Sequence, residues 1–274
     1  MNDLDKFKKD GLFLMVALDH RGSLKKMIGE NWEEKIIEWK KNAIEILGPL
    51  SSAILIDPEW GLEAFSKVGL EKPYLLSAEK SGYKETEGGR ETEIKYPAKK
   101  LKEMGAEGVK LLIYYNPQTP IATKQKKLIV KMAQDCEKND ISFLLEIITY
   151  DFGKENKHKG ILVVDSVKDI FSLGVKIDIF KIEFPGKIDS EGAKDLASNF
   201  CKEITEILGK TPWILLSAGD DFEDFKEKVK LAIKNGAKGF LAGRSLWKDF
   251  VNYKEEEWKK FFKDKSLKRL KEIS

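Results

Sequence analysis

Eight short apolar runs, separated by longer amphipathic stretches, limit what this chain can fold into more than any other feature. They occupy residues 12–18, 53–56, 74–76, 109–115, 143–149, 179–184, 213–216 and 239–242. Each is close to continuously apolar, as a strand must be when both of its faces are covered. Parallel strands are covered in this way, because their crossovers lay helices over the sheet. The mean spacing of the runs, about 34 residues, is near the roughly 30 residues of a βα unit.

The intervening segments fit that role. Segment 33–47 places Ile36, Ile37, Ala43, Ile44 and Leu47 at helical spacing and halts at Gly48-Pro49. Segments 98–104, 124–138, 166–173, 191–208 and 222–235 read likewise, and Gly174, Gly209 and Gly236 follow three of them as stops. Residues 253–273 read as a charged terminal helix or helix pair that packs through Trp258, Phe261, Phe262, Leu267 and Leu270. The pattern predicts an α/β chain, a (β/α)8 TIM barrel, with all 274 residues in one domain. A doubly wound open sheet is the structural alternative. No G-x-G-x-x-G follows the first run, which weakens its dinucleotide-binding version. The polar stretch 79–96, with Gly82, Gly88 and Gly89, is either a βα loop that shapes an active-site mouth or a plain surface loop.

Composition excludes several function classes. The formal net charge is +3, from 49 basic and 46 acidic residues, which makes no case for nucleic acid or a membrane as partner. With 35% charged and 42% hydrophobic residues, the chain reads as soluble and globular. The polar stretch 1–10 is no signal peptide, and no apolar run is long enough to span a bilayer. Cys136 and Cys201 are far apart in helical patterns, as expected of reduced thiols in a cytoplasmic protein. The two histidines, His20 and His158, are not spaced as ligands, so neither a metal nor another cofactor is expected.

Three predicted strands carry a charge where apolar residues belong: Lys110, Glu146 and Lys181. Burying an ammonium without a partner is expensive, so such a group tends to lose its proton. A neutral amine in a dry pocket attacks carbonyl carbon. The resulting iminium is an electron sink that permits cleavage of a nearby C–C bond. Lys110 could help to keep Lys181 neutral, and Glu146 or Asp19 could move the protons. Spacing does not decide which lysine is the nucleophile. The plainer reading of each charge is a structural ion pair or a side chain turned to solvent.

The strand ends add to this. The first run ends in Asp19-His20-Arg21-Gly22 and the second in Asp57-Pro58-Glu59; the seventh precedes Ser217-Ala218-Gly219 and the eighth Gly243-Arg244-Ser245. In a barrel these ends share one rim, and the last two loops often hold a substrate phosphate. Small residues, a hydroxyl and an arginine fork suit that task. Turn chemistry for the glycines and a surface ion pair for Arg244 are the plainer readings.

Taken in order, these segments resemble the class I tagatose 1,6-bisphosphate aldolase family, whose relatives include sulfofructose-phosphate aldolase. The likeness runs through Ala17 to Met27, Ile56 to Leu62, Glu79 to Tyr83, Gly108 to Pro117, Leu145-Glu146, Thr149-Tyr150-Asp151, Phe180 to Pro185, Leu216 to Gly219 and Gly243 to Asp249. It implies a metal-independent lyase with Lys181 as the imine-forming lysine and Glu146 as the acid/base. Lys110 and Asp19 would line the reacting centre. Arg21, Ser217, Gly219 and Arg244 would surround substrate phosphate and hydroxyl groups, beside the Gly243 of the anion-site reading, with dihydroxyacetone phosphate as the shared product.

One position departs. The tagatose enzymes read Asp-Gln-Arg where this chain has Asp19-His20-Arg21, so His20 faces either the substrate or the core. The expected substrate is a sugar phosphate of the tagatose 1,6-bisphosphate type. Sulfofructose phosphate and deoxy-ketogluconate phosphate are the alternatives, and a homo-oligomer is compatible with the sequence. Readings of other classes are a phosphosugar isomerase or epimerase, a sugar-phosphate-sensing regulator, and a metal-dependent aldolase.

Overall fold

The computed structural model describes residues 3–153 and 158–274. The first two residues of the polar stretch 1–10 therefore lie outside the described residues. The eight predicted strands all form: β1 (Phe13–Ala17), β2 (Ile54–Ile56), β3 (Tyr74–Ser77), β6 (Gly108–Tyr115), β7 (Ser142–Thr149), β8 (Ile179–Ile182), β9 (Trp213–Leu216) and β10 (Gly239–Ala242). They close into a barrel in the order β1-β10-β9-β8-β7-β6-β3-β2, every pair parallel. The closed ring replaces the open-sheet alternative.

Alternation along each strand makes two cores. Leu14, Val16, Val109, Leu111, Phe143, Leu145, Phe180 and Leu215 face outward and pack under the helices. Phe13, Met15, Leu55, Leu75, Leu144, Ile179, Ile214 and Leu241 point inward and fill the barrel. The same period-two rule sends Lys110, Glu146 and Lys181 inward, each flanked in sequence by outward-facing apolar residues. Register then sets their heights. Glu146 lies opposite Lys181 across the β7–β8 pair, and Leu112, two residues above Lys110, lies opposite Glu146. Neighbouring strands run about 4.8 Å apart, so the three charges must meet.

The outer layer consists of α2 (Trp32–Leu47), α4 (Ala98–Glu103), α5 (Ala122–Lys138), α6 (Lys159–Phe171), α7 (Glu191–Leu208) and α8 (Phe222–Lys234). Gly209 ends α7 at φ +56°, where a side chain would be strained, and its N–H closes onto the Thr205 carbonyl. Helix α6 begins seven residues before the expected 166–173 segment. The run Ile161-Leu162-Val163-Val164 looks strand-like, but burial at positions 162, 163, 166, 167 and 170 follows the helical period. Three shorter helices, α1 (Gly22–Ile28), α3 (Gly61–Val68) and α9 (Arg244–Trp247), are not apparent from the sequence pattern.

The stretch 79–96 is a hairpin rather than an irregular loop. Strand β4 (Lys84–Thr86) pairs antiparallel with β5 (Gly89–Glu91), and an isolated bridge joins Glu79 to Ile94 at its root. The terminal segment is a helix pair joined by a π-helical turn: α10 (Trp258–Phe261), the turn Phe262–Ser266, then α11 (Leu267–Ile273). Its expected packing face is buried at Trp258, Phe261, Phe262 and Leu270, with Leu267 partly so. Cys136 and Cys201 are buried, unpaired thiols, and burial pushes the Cys201 thiol up to about 12. Among the described residues no helix is long and apolar enough to cross a membrane.

Candidate active site

A cavity of about 570 Å³ opens where the strands end. That volume lies within the usual range for small-molecule sites, and this is the rim where barrel enzymes work. All ten site residues expected from the sequence line it: Asp19, His20, Arg21, Lys110, Glu146, Lys181, Ser217, Gly219, Gly243 and Arg244.

The two lysines differ in their surroundings. Lys110 Nζ is 2.7 Å from Asp19 Oδ2, 2.6 Å from Glu79 Oε1 and 3.6 Å from Glu146 Oε2. Burial alone would strip its proton, but the carboxylates of Asp19, Glu79 and Glu146 outweigh it and hold Lys110 well above the usual lysine range. Among the described residues Lys181 Nζ has one carboxylate within ion-pair distance, Glu146 Oε1 at 2.8 Å. Glu146 therefore bridges the two ammonium positions. Burial would raise the Asp19 carboxyl; Lys110, with help from His20 and Lys181, reverses this and keeps it well below the ordinary range. Among the described residues no group of His, Cys, Asp and Glu is arranged to hold a metal, and the carboxylates here converge on an ammonium instead.

His20 sits edge-on to Trp247, with ring centroids 4.8 Å apart and Nδ1 3.7 Å from Asp19. Its side chain, 21% exposed, opens on the cavity. Burial lowers its pKa to about 3 against the pull of Asp19, helped by the charges of Arg244, Lys181 and Lys40. The ring is thus neutral at physiological pH. Gly243 makes room for it: a Cβ there would lie 2.9 Å from His20 Cε1.

Arg21 borders the cavity, but its guanidinium is turned toward protein. It donates to the Glu79 carbonyl at 2.7 Å and lies 3.4 Å from the Glu79 carboxylate and 3.7 Å from Glu59. On the far side, the loops after β9 and β10 are laced together. The Gly243 N–H donates to Ser217 Oγ at 3.2 Å, and the Ser245 hydroxyl donates to the Ser217 and Asp220 carbonyls. Gly219 has φ +84°, and the Arg244 guanidinium lies so close that a Cβ on Gly219 would meet its carbon at 3.3 Å. Among the described residues Arg244 makes one hydrogen bond, to the Ala218 carbonyl at 3.3 Å, which leaves most of its fork to the cavity.

Sequence reasoning missed Glu79. It is 4% exposed, and its second oxygen accepts the Leu112 N–H at 3.0 Å, so it clamps strand β6 as well as Lys110. A glutamate opening a polar stretch carries no sign of burial; the signals were the apolar β3 directly before it and its place at the head of the Glu79 to Tyr83 segment, to which no role was given. Tyr114 and Lys26 also border the cavity unforeseen, one at the end of β6 and the other on α1.

A closed parallel barrel whose rim gathers buried lysines and carboxylates beside an arginine-and-glycine corner belongs to the barrel enzymes. Residues 13–249 match the family model described as DeoC/LacD family aldolase. The chain belongs to that family and is a lyase. It is 34% identical to tagatose 1,6-diphosphate aldolase 2 of Streptococcus pyogenes serotype M3 (strain ATCC BAA-595 / MGAS315), over 93% of this chain and 86% of the relative. Tagatose 1,6-diphosphate aldolase 1 of Streptococcus mutans serotype c is 30% identical over 97% and 91%. Among solved structures, a Schiff-base-forming fructose-1,6-bisphosphate aldolase superposes with a TM-score of 0.68 over 98% of this chain and 96% of that one. The fructose-bisphosphate aldolase from Slackia heliotrinireducens gives 0.69 over 98% and 87%. At 17% and 12% identity these two likenesses speak for the fold alone.

Proposed function

We propose that the protein is a class I aldolase that cleaves a phosphorylated ketose through an imine on Lys181. The observation that carries this is the inequality of the two lysines. Three carboxylates hold Lys110 as a cation, whereas among the described residues Lys181 ion-pairs with Glu146 alone, which can take its proton. That choice was open from spacing alone.

The steps follow from the contacts. The Lys181 amine attacks the ketose carbonyl carbon, and the carbonyl oxygen takes a proton to give a carbinolamine. Loss of water, assisted by a proton from Glu146, forms the iminium. A base then removes the proton from the hydroxyl two carbons away from the imine carbon. The bond from that hydroxyl-bearing carbon to the carbon next to the imine carbon breaks, its electrons move toward the iminium to form an enamine, and the hydroxyl-bearing carbon leaves as the aldehyde. Protonation of the enamine and addition of water release dihydroxyacetone phosphate and restore Lys181. The iminium is itself the electron sink, so these steps call for neither metal nor cofactor. Lys110 offers a fixed positive charge to the developing alkoxide, and Asp19 and Glu79 hold it there.

The corner made by Ser217, Gly219, Gly243 and Arg244 suits the phosphate of the dihydroxyacetone half. Arg21, turned to Glu79 and Glu59, suits a supporting role at the hairpin root better than direct phosphate contact. Lys26 is exposed on α1, borders the cavity and makes no ion pair among the described residues. It is available to an anionic terminus on the aldehyde half, phosphate or sulfonate. Tagatose 1,6-bisphosphate fits this division, and sulfofructose phosphate is the runner-up.

Borohydride reduction in the presence of dihydroxyacetone phosphate, followed by peptide mass spectrometry, tests the proposal. A reduced adduct is expected on the peptide that carries Lys181 and on no other, and Lys181→Ala should abolish both adduct and cleavage. An adduct on Lys110, or turnover by Lys181→Ala, would overturn it.

A further inference from the structure

Behind the cavity wall lies a buried ion pair, neither member of which lines the cavity. Lys40 on α2 and Asp57 after β2 are both 0% exposed, with Lys40 Nζ 2.7 Å from Asp57 Oδ2. A lysine on an outer helix has no need to be there. An isolated pair of this kind does little for stability, because desolvation offsets much of the attraction. Its other contacts say more.

The Lys40 ammonium also donates to the Leu18 carbonyl and, at 3.1 Å, to the His20 carbonyl. These are the residues on either side of Asp19. The β1–β2 ladder has ended by this point: its last matched residues are Ala17 and Leu55, and its last bond is the Leu18 N–H to the Leu55 carbonyl. Beyond it the chain must turn, and its buried carbonyls need partners other than a strand. Trp247 Nε1 donates to the Ala17 carbonyl at 3.2 Å, and Lys40 serves the next two that flank Asp19. The turn that carries Asp19 is therefore pinned by side chains.

Asp57 completes the brace. Its Oδ1 accepts the N–H groups of Glu59 at 3.1 Å and Trp60 at 2.8 Å, which fixes the start of α3. Gly61 allows this: a Cβ there would lie 2.8 Å from Asp57 Oδ2. Glu59, carried by the same turn, faces Arg21 at 3.7 Å. One ammonium and one carboxylate thus tie the ends of two adjacent strands to each other.

We infer that Lys40 and Asp57 are positioning residues, and that they hold the Leu18–His20 turn so that the Asp19 carboxylate meets Lys110. The inference rests on the proposed function only for its kinetic consequence; the placement of Asp19 against Lys110 stands apart from it. Without the brace, Asp19 drifts from Lys110, and the cation is left to Glu79 and Glu146.

The test uses Lys40→Met and the double variant Lys40→Met/Asp57→Asn. The second avoids leaving a carboxylate buried without a partner, in case the first does not fold. Carboxyl carbon NMR of aspartate-labelled protein, with the Asp19 signal assigned through Asp19→Asn, reads the placement directly. Asp19 in the folded double variant should titrate at least one pH unit higher than in the wild-type protein. Steady-state kinetics with the ketose should show kcat reduced at least 10-fold with KM changed less than 3-fold. An unmoved Asp19 titration with kcat within 3-fold of wild type would overturn the inference and leave a structural pair. If the wild-type protein cleaves no ketose, the functional reading fails while the Asp19 titration still decides this one.

Discussion

Lys110 keeps its proton because three carboxylates outweigh the burial that would remove it, and Asp19 loses its proton for the complementary reason. The two act on stability at opposite ends of the pH scale. A raised lysine contributes stability below its unfolded pKa of 10.5 that is lost as pH climbs through the folded value. A depressed aspartate contributes above 3.8, and that share is lost as pH falls through the folded value. His20 acts between them. Its folded pKa falls from 6.5 to about 3, so the unfolded chain takes up a proton that the folded chain refuses. Stability therefore drops as pH falls below 6.5, and the loss levels off only near 3. At about 1.4 kcal/mol per pH unit, acidification from pH 7 to roughly 4.5 should cost about 2.5 kcal/mol through this residue. His20→Gln, which puts an amide that does not titrate in place of the imidazole, should lose less over the same interval by about that amount. Urea unfolding of both proteins at the two pH values measures it. Equal losses would mean that the imidazole is more freely solvated than its contacts with Trp247 and Asp19 imply.

Secondary-structure elements were legible in proportion to how much of each is buried on both faces. Strands β6 and β7 stood out because six of the eight residues in the first and five of the eight in the second are large and apolar, and the intruding Lys110 and Glu146 were conspicuous for the same reason. Glu79 sits beside them in space yet was given no role, because the residues that follow it are polar and the fold alone buries it. Helix α1 was illegible since seven residues span barely two turns, too few to establish a period. Two adjacent lysines on it have different tasks. Lys25 lies over the rings of Trp32 and Trp60, at 3.8 and 4.4 Å from their centroids, while Lys26 borders the cavity. Lys26→Ala should raise KM roughly 3- to 5-fold for a ketose with a charged far end, since an exposed charge contact is worth up to about 1 kcal/mol, and much less for an uncharged one. Lys25→Ala should leave KM alone and lower unfolding stability by roughly 1 kcal/mol, as loss of a partly exposed cation–π contact does. Steady-state kinetics with paired substrates and urea unfolding separate the two. A KM effect from Lys25 would mean that α1 as a whole, and not Lys26 alone, faces the substrate.

At the scale of the molecule the barrel divides labour between its ends. The upper end spends its interior on charge, with Lys110, Glu146 and Lys181 inside the ring. The lower end is sealed by hydrocarbon. Phe7, in the helical turn Asp5–Phe7 ahead of β1, is wholly buried and joins Phe13, Met15, Leu75 and Ile179 in the interior core. Gly108, which opens β6, lets the ring come close: a Cβ there would sit 3.3 Å from Phe7 Cζ. The turn thus plugs the barrel at the end opposite the cavity, a closure that no pattern in a polar ten-residue segment announces. Large-to-small changes at such sites cost the transfer energy of the lost atoms plus that of the cavity left behind. Phe7→Ala should therefore lower unfolding stability by about 3–5 kcal/mol, read as a lower urea midpoint with an unchanged slope. The folded fraction should keep kcat and KM within 2-fold, because the plug lies at the barrel end opposite the cavity and the strands between are pinned by the barrel's own register. A fall in kcat beyond that, measured well below the unfolding transition, would show that packing at the closed end reaches the lysines at the open one.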